Sequence, residues 1–158
     1  MMRLLFLLAG MLSAHALLAA PTLEKVVDGD TVILLEDGQR YRMRLLDIDA
    51  PELAQAGGKL ARRSLIHLCA QTTLTVMITG QDRYGRVLGY LYCDEQEANA
   101  WQIAQGMAWF NRRYSTRLEL ETLEAQARAQ GLGIWQSAQP VPPWQWRKQH
   151  GRYYRRQE

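Results

Sequence analysis

At 158 residues, 47% hydrophobic and 22% charged, the chain has the make-up of one ordinary globular domain, which excludes a disordered, collagenous or polytopic membrane protein. Twelve glycines, five prolines and two cysteines exclude a low-complexity segment and a dense disulfide scaffold, and the length suffices for a core that stands without a structural metal. The net charge of +3 is unevenly placed: Arg147, Lys148, Arg152, Arg155 and Arg156 against Glu158 make the end of the chain +4, which, with Arg3 set aside, leaves residues 17–146 at −2 and excludes binding of a polyanion by bulk charge alone.

The chain opens on an address label. Arg3, the apolar run Leu4 to Leu12 and the A-x-A pattern Ala14-His15-Ala16 mark residues 1–16 as a signal peptide. Cleavage after Ala20 is the alternative, and it would leave Pro21 at the first position. The run is interrupted by Gly10, Ser13 and His15 and ends at Pro21, so no membrane span is expected after cleavage, and the protein is expected to be exported, periplasmic or secreted. Export lets Cys69 and Cys93 persist as a disulfide; two separately buried thiols are the other reading. A metal site on these cysteines is disfavoured, because there is no C-x-x-C and the mature histidines are only His67 and His150.

Next come five predicted strands, Leu23 to Val27, Thr31 to Leu35, Tyr41 to Ile48, Thr73 to Ile78 and Val87 to Cys93, rich in Val, Ile, Leu, Thr and Tyr. Asp37-Gly38 predicts a tight hairpin between the second and third. Between the third and fourth, Gly58 to Ala70 predicts a helix with Leu60, Ala61, Leu65 and Leu68 inward and His67 on its polar face or at its end. After Cys93 the pattern turns helical: Ala98 to Gln105, stopped by Gly106, then a helix opened by a Thr116-x-x-Glu119 capping box and closed by Gly131, with Leu120, Leu123 and Ala127 as a packing stripe. From Pro140 onward, Pro142-Pro143 and the Trp144-Gln145-Trp146 run predict an end to regular structure and a basic aromatic tail over 140–158. The sum is an α+β protein, mainly β: a five-stranded Greek-key barrel of the OB type with three helices, over 17–139.

Three clusters carry chemistry: Val27-Asp28-Gly29-Asp30-Thr31, Arg44-Leu45-Leu46-Asp47-Ile48-Asp49-Ala50-Pro51-Glu52 and Asp82-Arg83-Tyr84-Gly85-Arg86. Singly, each reads as turn or strand-end chemistry. Together they are complementary. Asp30 and Asp49, with a backbone carbonyl, are hard oxygen donors suited to Ca²⁺. Arg44 and Arg86 are permanently charged forks that match phosphate oxygens. Glu52 is a spare carboxylate able to orient or deprotonate water, which completes the parts for metal-assisted phosphodiester hydrolysis.

These motifs, with QGMAW and GLGIW further on, run in order from about Leu23 to Trp135, and by them the chain resembles the thermonuclease family. The resemblance implies an OB-type barrel and Ca²⁺-dependent endonucleolytic hydrolysis of DNA and RNA; no protein partner is implied, and a monomer is expected. It implies that Asp30, Asp49 and the Ala50 carbonyl hold Ca²⁺, that Glu52 activates water for in-line attack, and that Arg44 and Arg86 bind the scissile phosphate. It implies a nucleotide contact at Tyr84. Tyr114 is the candidate for a second contact, set beyond a Phe110-Asn111 step that departs from the family's aromatic spacing. Asp28 is expected behind the metal site or as a simple turn residue, and Asp47, an additional carboxylate, as a solvated strand residue or a modest influence on metal affinity. The rival reading, a non-catalytic nucleic-acid or anionic-polymer binding module of the cell envelope, leaves the acidic cluster unexplained.

Overall fold

The computed structural model describes residues 20–154, with side chains as far as Gly151. The expected signal segment therefore lies outside the described residues, as do residues 155–158. No described helix is long and apolar enough to cross a membrane.

Strands β1 (Thr22–Val26), β2 (Thr31–Glu36) and β3 (Gln39–Leu45) form an antiparallel meander. Asp37 and Gly38 at the hairpin both take positive φ, 49° and 75°, the pair of values that a tight turn matching strand twist requires. The expected third strand is broken: at Asp47 φ is 66°, and the chain resumes as β4 (Ile48–Asp49), which leaves the main sheet to pair with β8 (Trp109–Phe110). After α1 (Gly58–Cys69), strand β5 (Leu74–Gln81) pairs with β6 (Val87–Cys93), and β6 also lies parallel to β3. A short β7 (Gln96–Glu97) returns on β6. The main order is thus β1-β2-β3-β6-β5, the OB-type arrangement, and no ladder among the described residues joins β1 to β5.

The core follows strand alternation. Val32 and Leu34 of β2, Met43 and Leu45 of β3 and Leu91 of β6 are fully covered, and Ala61 and Leu65 of α1 close over them. Leu60, expected inward, is 38% exposed; the buried stripe of α1 is Gly58, Ala61, Leu65 and Cys69. Cys69 and Cys93 form a disulfide with Cα atoms 5.0 Å apart, pinning the end of α1 to the end of β6. Helices α2 (Ala98–Ala104) and α3 (Leu118–Ala129) pack on each other, with Ile103, Leu120 and Ala127 buried.

The expected capping box does not form. Helix α3 begins one residue later, at Leu118, without a side-chain cap, because Arg117 Nε takes Glu119 Oε1 at 2.6 Å. After α3, Gly133 lies so close to Gly106 that a Cβ on either would collide with backbone carbonyl oxygen, and Ile134 N–H donates to Gly106 O at 2.9 Å. That contact sets Trp135 edge-on to Trp109, with ring centres 5.0 Å apart.

The largest departure is at the end of the chain. Residues Pro143–Tyr154 form a fourth helix, α4. Pro142-Pro143 starts it rather than ending structure: proline is tolerated in the first helical turn, where its missing N–H would have had no partner. The Pro142 carbonyl accepts from Gln145 and Trp146 N–H, and Trp144 packs edge-on against Trp109 at 6.4 Å.

Candidate active site

The first site segment is a turn between β1 and β2. Asp28 Oδ1 accepts from Asp30 N–H at 3.1 Å, so Asp28 shapes the turn that presents Asp30. Gly29 fits because a Cβ there would stand 2.7 Å from the Cβ atoms of both Ala50 and Ala61. Close backbone approach therefore brings Asp30 against the second segment, where Ala50 N–H donates to Asp30 Oδ2 at 2.7 Å. Thr31 Oγ1 donates to the other oxygen at 3.1 Å. From α2, Gln102 Nε2 donates to the carbonyls of Gly29 (2.7 Å) and Ala61 (3.0 Å), tying turn and helix together from beneath.

Arg44, on β3, links the two segments. Its Nη1 lies 3.1 Å from Asp30 Oδ2 and its Nη2 3.4 Å from Asp49 Oδ1, while the carbonyls of Leu45 (2.7 Å) and Ile48 (3.0 Å) fix the guanidinium from the other side. Asp30 and Asp49 are 6% and 4% exposed. Burial pushes the Asp30 carboxyl well above the usual range, the charges of Asp28 and Asp49 push it further, and Arg44 opposes them. A divalent cation would relieve that same crowding of negative charge.

Glu52 joins this group through a residue of the expected tail segment, 140–158. Arg147, on α4, places Nη2 2.7 Å from Asp49 Oδ2, and Nη1 3.1 Å from Asp49 Oδ1 and 2.8 Å from Glu52 Oε1. Burial works against the Arg147 charge, but the bonds from Asp49 and Glu52 hold its pKa above the ordinary arginine value. No group of three or more His, Cys, Asp or Glu side chains among the described residues is arranged to hold a metal by itself. The donor chemistry nevertheless fits one: Asp30, Asp49 and Glu52 are hard oxygen donors, and two of them already converge on a single cation.

Arg86 makes no ion pair with this group. It follows the β5–β6 turn, where Asp82 accepts from Tyr84 and Arg86 backbone N–H and binds the Arg86 guanidinium at 2.8 Å. In the β3–β6 register Arg44 pairs with Leu88, and Arg86 immediately precedes the first residue of β6, Val87. Tyr84, 63% exposed, lies under the guanidinium groups of Arg83 and Arg86, and Tyr114 is 74% exposed beside Arg113. The Tyr84 hydroxyl accepts from Arg83 Nη2 at 2.7 Å, and both tyrosines lie at the surface among arginines.

Asp47 differs from expectation. It is buried rather than solvated, accepts from Tyr90 Oη at 2.7 Å and lies 3.7 Å from Arg117, while its backbone carbonyl accepts from Asn111 N–H. Its left-handed backbone turns the side chain out of the line that carries Asp49, which separates the two carboxylates of the Asp47-Ile48-Asp49 run. Two further residues gave no signal in sequence: Gln102 under the Asp30 turn, and Asn99, which donates to the Leu46 and Gly89 carbonyls and accepts from Leu91 N–H.

Comparison with known proteins bears on this arrangement. A family model described as "Staphylococcal nuclease homologue" matches residues 42–137. An "Uncharacterized endonuclease" of Escherichia coli is 40% identical over 124 residues, covering 78% of this chain and 81% of that one. A "Micrococcal nuclease" of Shigella flexneri is 38% identical over 135 residues, 78% of each chain. A further "Uncharacterized endonuclease", from Haemophilus influenzae, is 37% identical over 126 residues, 79% of this chain and 71% of its own.

Proposed function

The chain belongs to the family of staphylococcal nuclease homologues, and from that premise we propose that it is an exported Ca²⁺-dependent endonuclease that hydrolyses phosphodiester bonds of DNA and RNA. The observation that carries the proposal is the pair of buried carboxylates, Asp30 and Asp49, bridged by Arg44 of β3. Burying two carboxylates beside each other is costly unless cations offset them. A structural role would be served by matched pairs; a shared acidic recess with arginines on its edge suits a phosphodiester and a metal together.

In this reading Asp30, Asp49 and the Ala50 carbonyl hold Ca²⁺, which when bound supplies positive charge to the phosphate oxygens and favours an attacking water. Glu52 orients that water or takes its proton. Arg44, already fixed by the Leu45 and Ile48 carbonyls, needs little reorganisation to meet negative charge growing at phosphorus. Arg86 reaches the same phosphate by exchanging Asp82 for it, and the exposed Tyr84 gives a base or sugar a flat apolar face. The Cys69–Cys93 bridge supports export, since disulfides persist in oxidising compartments.

Incubation of supercoiled plasmid and of structured RNA with the purified chain, in Ca²⁺, in Mg²⁺ and in excess chelator, tests the proposal. Fragments of both substrates in Ca²⁺ and none in chelator are expected. Binding without fragments under every condition would favour the non-catalytic module, and unchanged cleavage in chelator would remove the metal from the account.

A further inference from the structure

The two carboxylates assigned to metal and water are already engaged by a cation that belongs to the protein. Arg147 grips both oxygens of Asp49 and reaches one of Glu52, a bidentate fork extended to a second carboxylate, which is among the stronger charge-assisted geometries a side chain can make. With Arg44 also on Asp49 Oδ1, a cation that takes Asp49 must displace at least one guanidinium. Arg44 is held by two backbone carbonyls and Arg147 by none, so Arg147 is the one able to leave.

The helix that carries it is docked over the site. Gln55 Nε2 donates to the Val141 carbonyl at 2.5 Å, Pro143 is buried, and Trp144 meets Trp109 edge-on. Trp146 lines a groove with Leu53 and Leu60, beside the loop that presents Glu52. The charges complement: Arg147 and Lys148 bring positive charge on α4 to a body, residues 17–146, whose net charge is −2. Helix α4 lies outside the segment, 42–137, that matches the family model.

We propose that α4 is an internal competitor for the metal: Arg147 docked on Asp49 and Glu52 holds the site closed to a divalent cation, and cation binding expels Arg147 and loosens the helix. This rests on the reading that the site takes Ca²⁺. Linkage makes the effect reciprocal, so whatever weakens docking tightens the metal and whatever adds metal weakens docking. A docked-to-released ratio of about ten lowers the apparent metal affinity about tenfold.

Calorimetric titration of the full mature chain with CaCl₂, together with hydrogen exchange of α4 amides, tests it. Arg147→Gln is expected to bind Ca²⁺ about tenfold more tightly than the parent, Arg147→Lys to fall between, and Lys148→Gln, which removes an exposed charge from the same helix, to stay within about twofold. Trp144→Ala, which loosens the helix without changing charge, is expected to tighten Ca²⁺ in the same direction. Saturating Ca²⁺ is expected to speed exchange in α4 of the parent. Equal affinity of parent and Arg147→Gln, equal tightening by Arg147→Gln and Lys148→Gln, or α4 amides that stay protected in saturating Ca²⁺ would each overturn the competition. An Arg147→Gln enzyme that binds nucleic acid less well at unchanged Ca²⁺ affinity would make Arg147 a substrate contact instead. Absence of Ca²⁺ uptake by every variant would overturn the competition and the metal reading together, whereas uptake that ignores Arg147 overturns the competition alone.

Discussion

Two groups of carboxylates gather around arginines in this protein. At the Arg117 cluster the cation sits at the centre and each acid has a bond of its own: Glu97 holds both Nη atoms at 2.7 and 3.1 Å, Glu119 holds Nε at 2.6 Å, and Asp47 is satisfied by Tyr90 with Arg117 3.7 Å away. At the Asp30 cluster the acids are at the centre: Asp30 and Asp49 are almost fully covered, Arg44 reaches both, and Arg147 reaches Asp49 and Glu52. The first arrangement fastens the start of α3 to β7 and the β4 turn. The second leaves negative charge concentrated in one place, which contributes little to stability and suits a ligand that brings cation and phosphate. The arginine supplies the same chemistry in both; the direction of crowding separates a structural ion pair from a site.

That contrast breaks most visibly under substitution of the site arginine. Arg44→Lys should lower kcat by about 10²–10³-fold, since it keeps charge but loses the planar fork that meets developing charge at phosphorus. The KM should change less, and steady-state kinetics on a defined oligonucleotide checks both; a raised KM at unchanged kcat would make Arg44 an ordinary substrate-binding group. Reduction of the Cys69–Cys93 bridge, which spans a separation of 24 residues, should cost ~3 kcal/mol on loop-entropy grounds and lower the thermal midpoint. Calorimetric melts with and without reductant measure it, and folded protein should retain its activity because the bridge lies at the far ends of α1 and β6.

Arg117→Met sharpens the contrast from the structural side. It leaves Glu97 and Asp47 without their cation and should cost about 2 kcal/mol, discounted for the partial exposure of the cluster. Denaturant unfolding gives the loss, while kcat and KM should stay within about twofold of the parent. The smallest expected effect is at Asp82. Burial pushes its carboxyl up, but the bonds from Arg86 and Tyr84 outweigh that and hold it below the usual carboxylate value. A lowered native pKa stabilises above the unfolded value, near 4, and the contribution is lost as pH falls through the native one. The stability difference between parent and Asp82→Asn should therefore be largest at neutral pH and shrink on acidification, as paired urea melts across pH 3–7 would show.

Much of this was legible in the chain itself, where the determinants are local. The hairpin at Asp37-Gly38, the stop at Gly106 and the alternation in β2 and β6 are short-range consequences of φ preference and burial. The Asp30, Arg44 and Asp49 grouping was legible as complementary chemistry in ordered motifs. Contacts made across long separations were not. Arg147 meets Asp49 across 98 residues, and nothing in Trp-Gln-Trp-Arg-Lys announces which carboxylate it will find. Pro142-Pro143 reads as a stop by local rules, yet proline is also tolerated in a first helical turn, and the long-range contacts of α4 with Trp109, Asp49 and Glu52 favour the helix. Asp47 is buried where strand alternation predicts a solvated residue, because its own left-handed backbone interrupts the alternation, and the Thr116 capping box loses Glu119 to Arg117.

The account depends on Asp30 and Asp49 forming one site for a divalent cation. Titration of the parent and of Asp49→Asn with CaCl₂ by calorimetry tests that most directly, since asparagine keeps the shape of the ligand and removes its charge. The account predicts one Ca²⁺ bound by the parent, with affinity and cleavage falling together in the variant. An Asp49→Asn protein that binds Ca²⁺ as tightly as its parent would contradict it, even if both cut DNA.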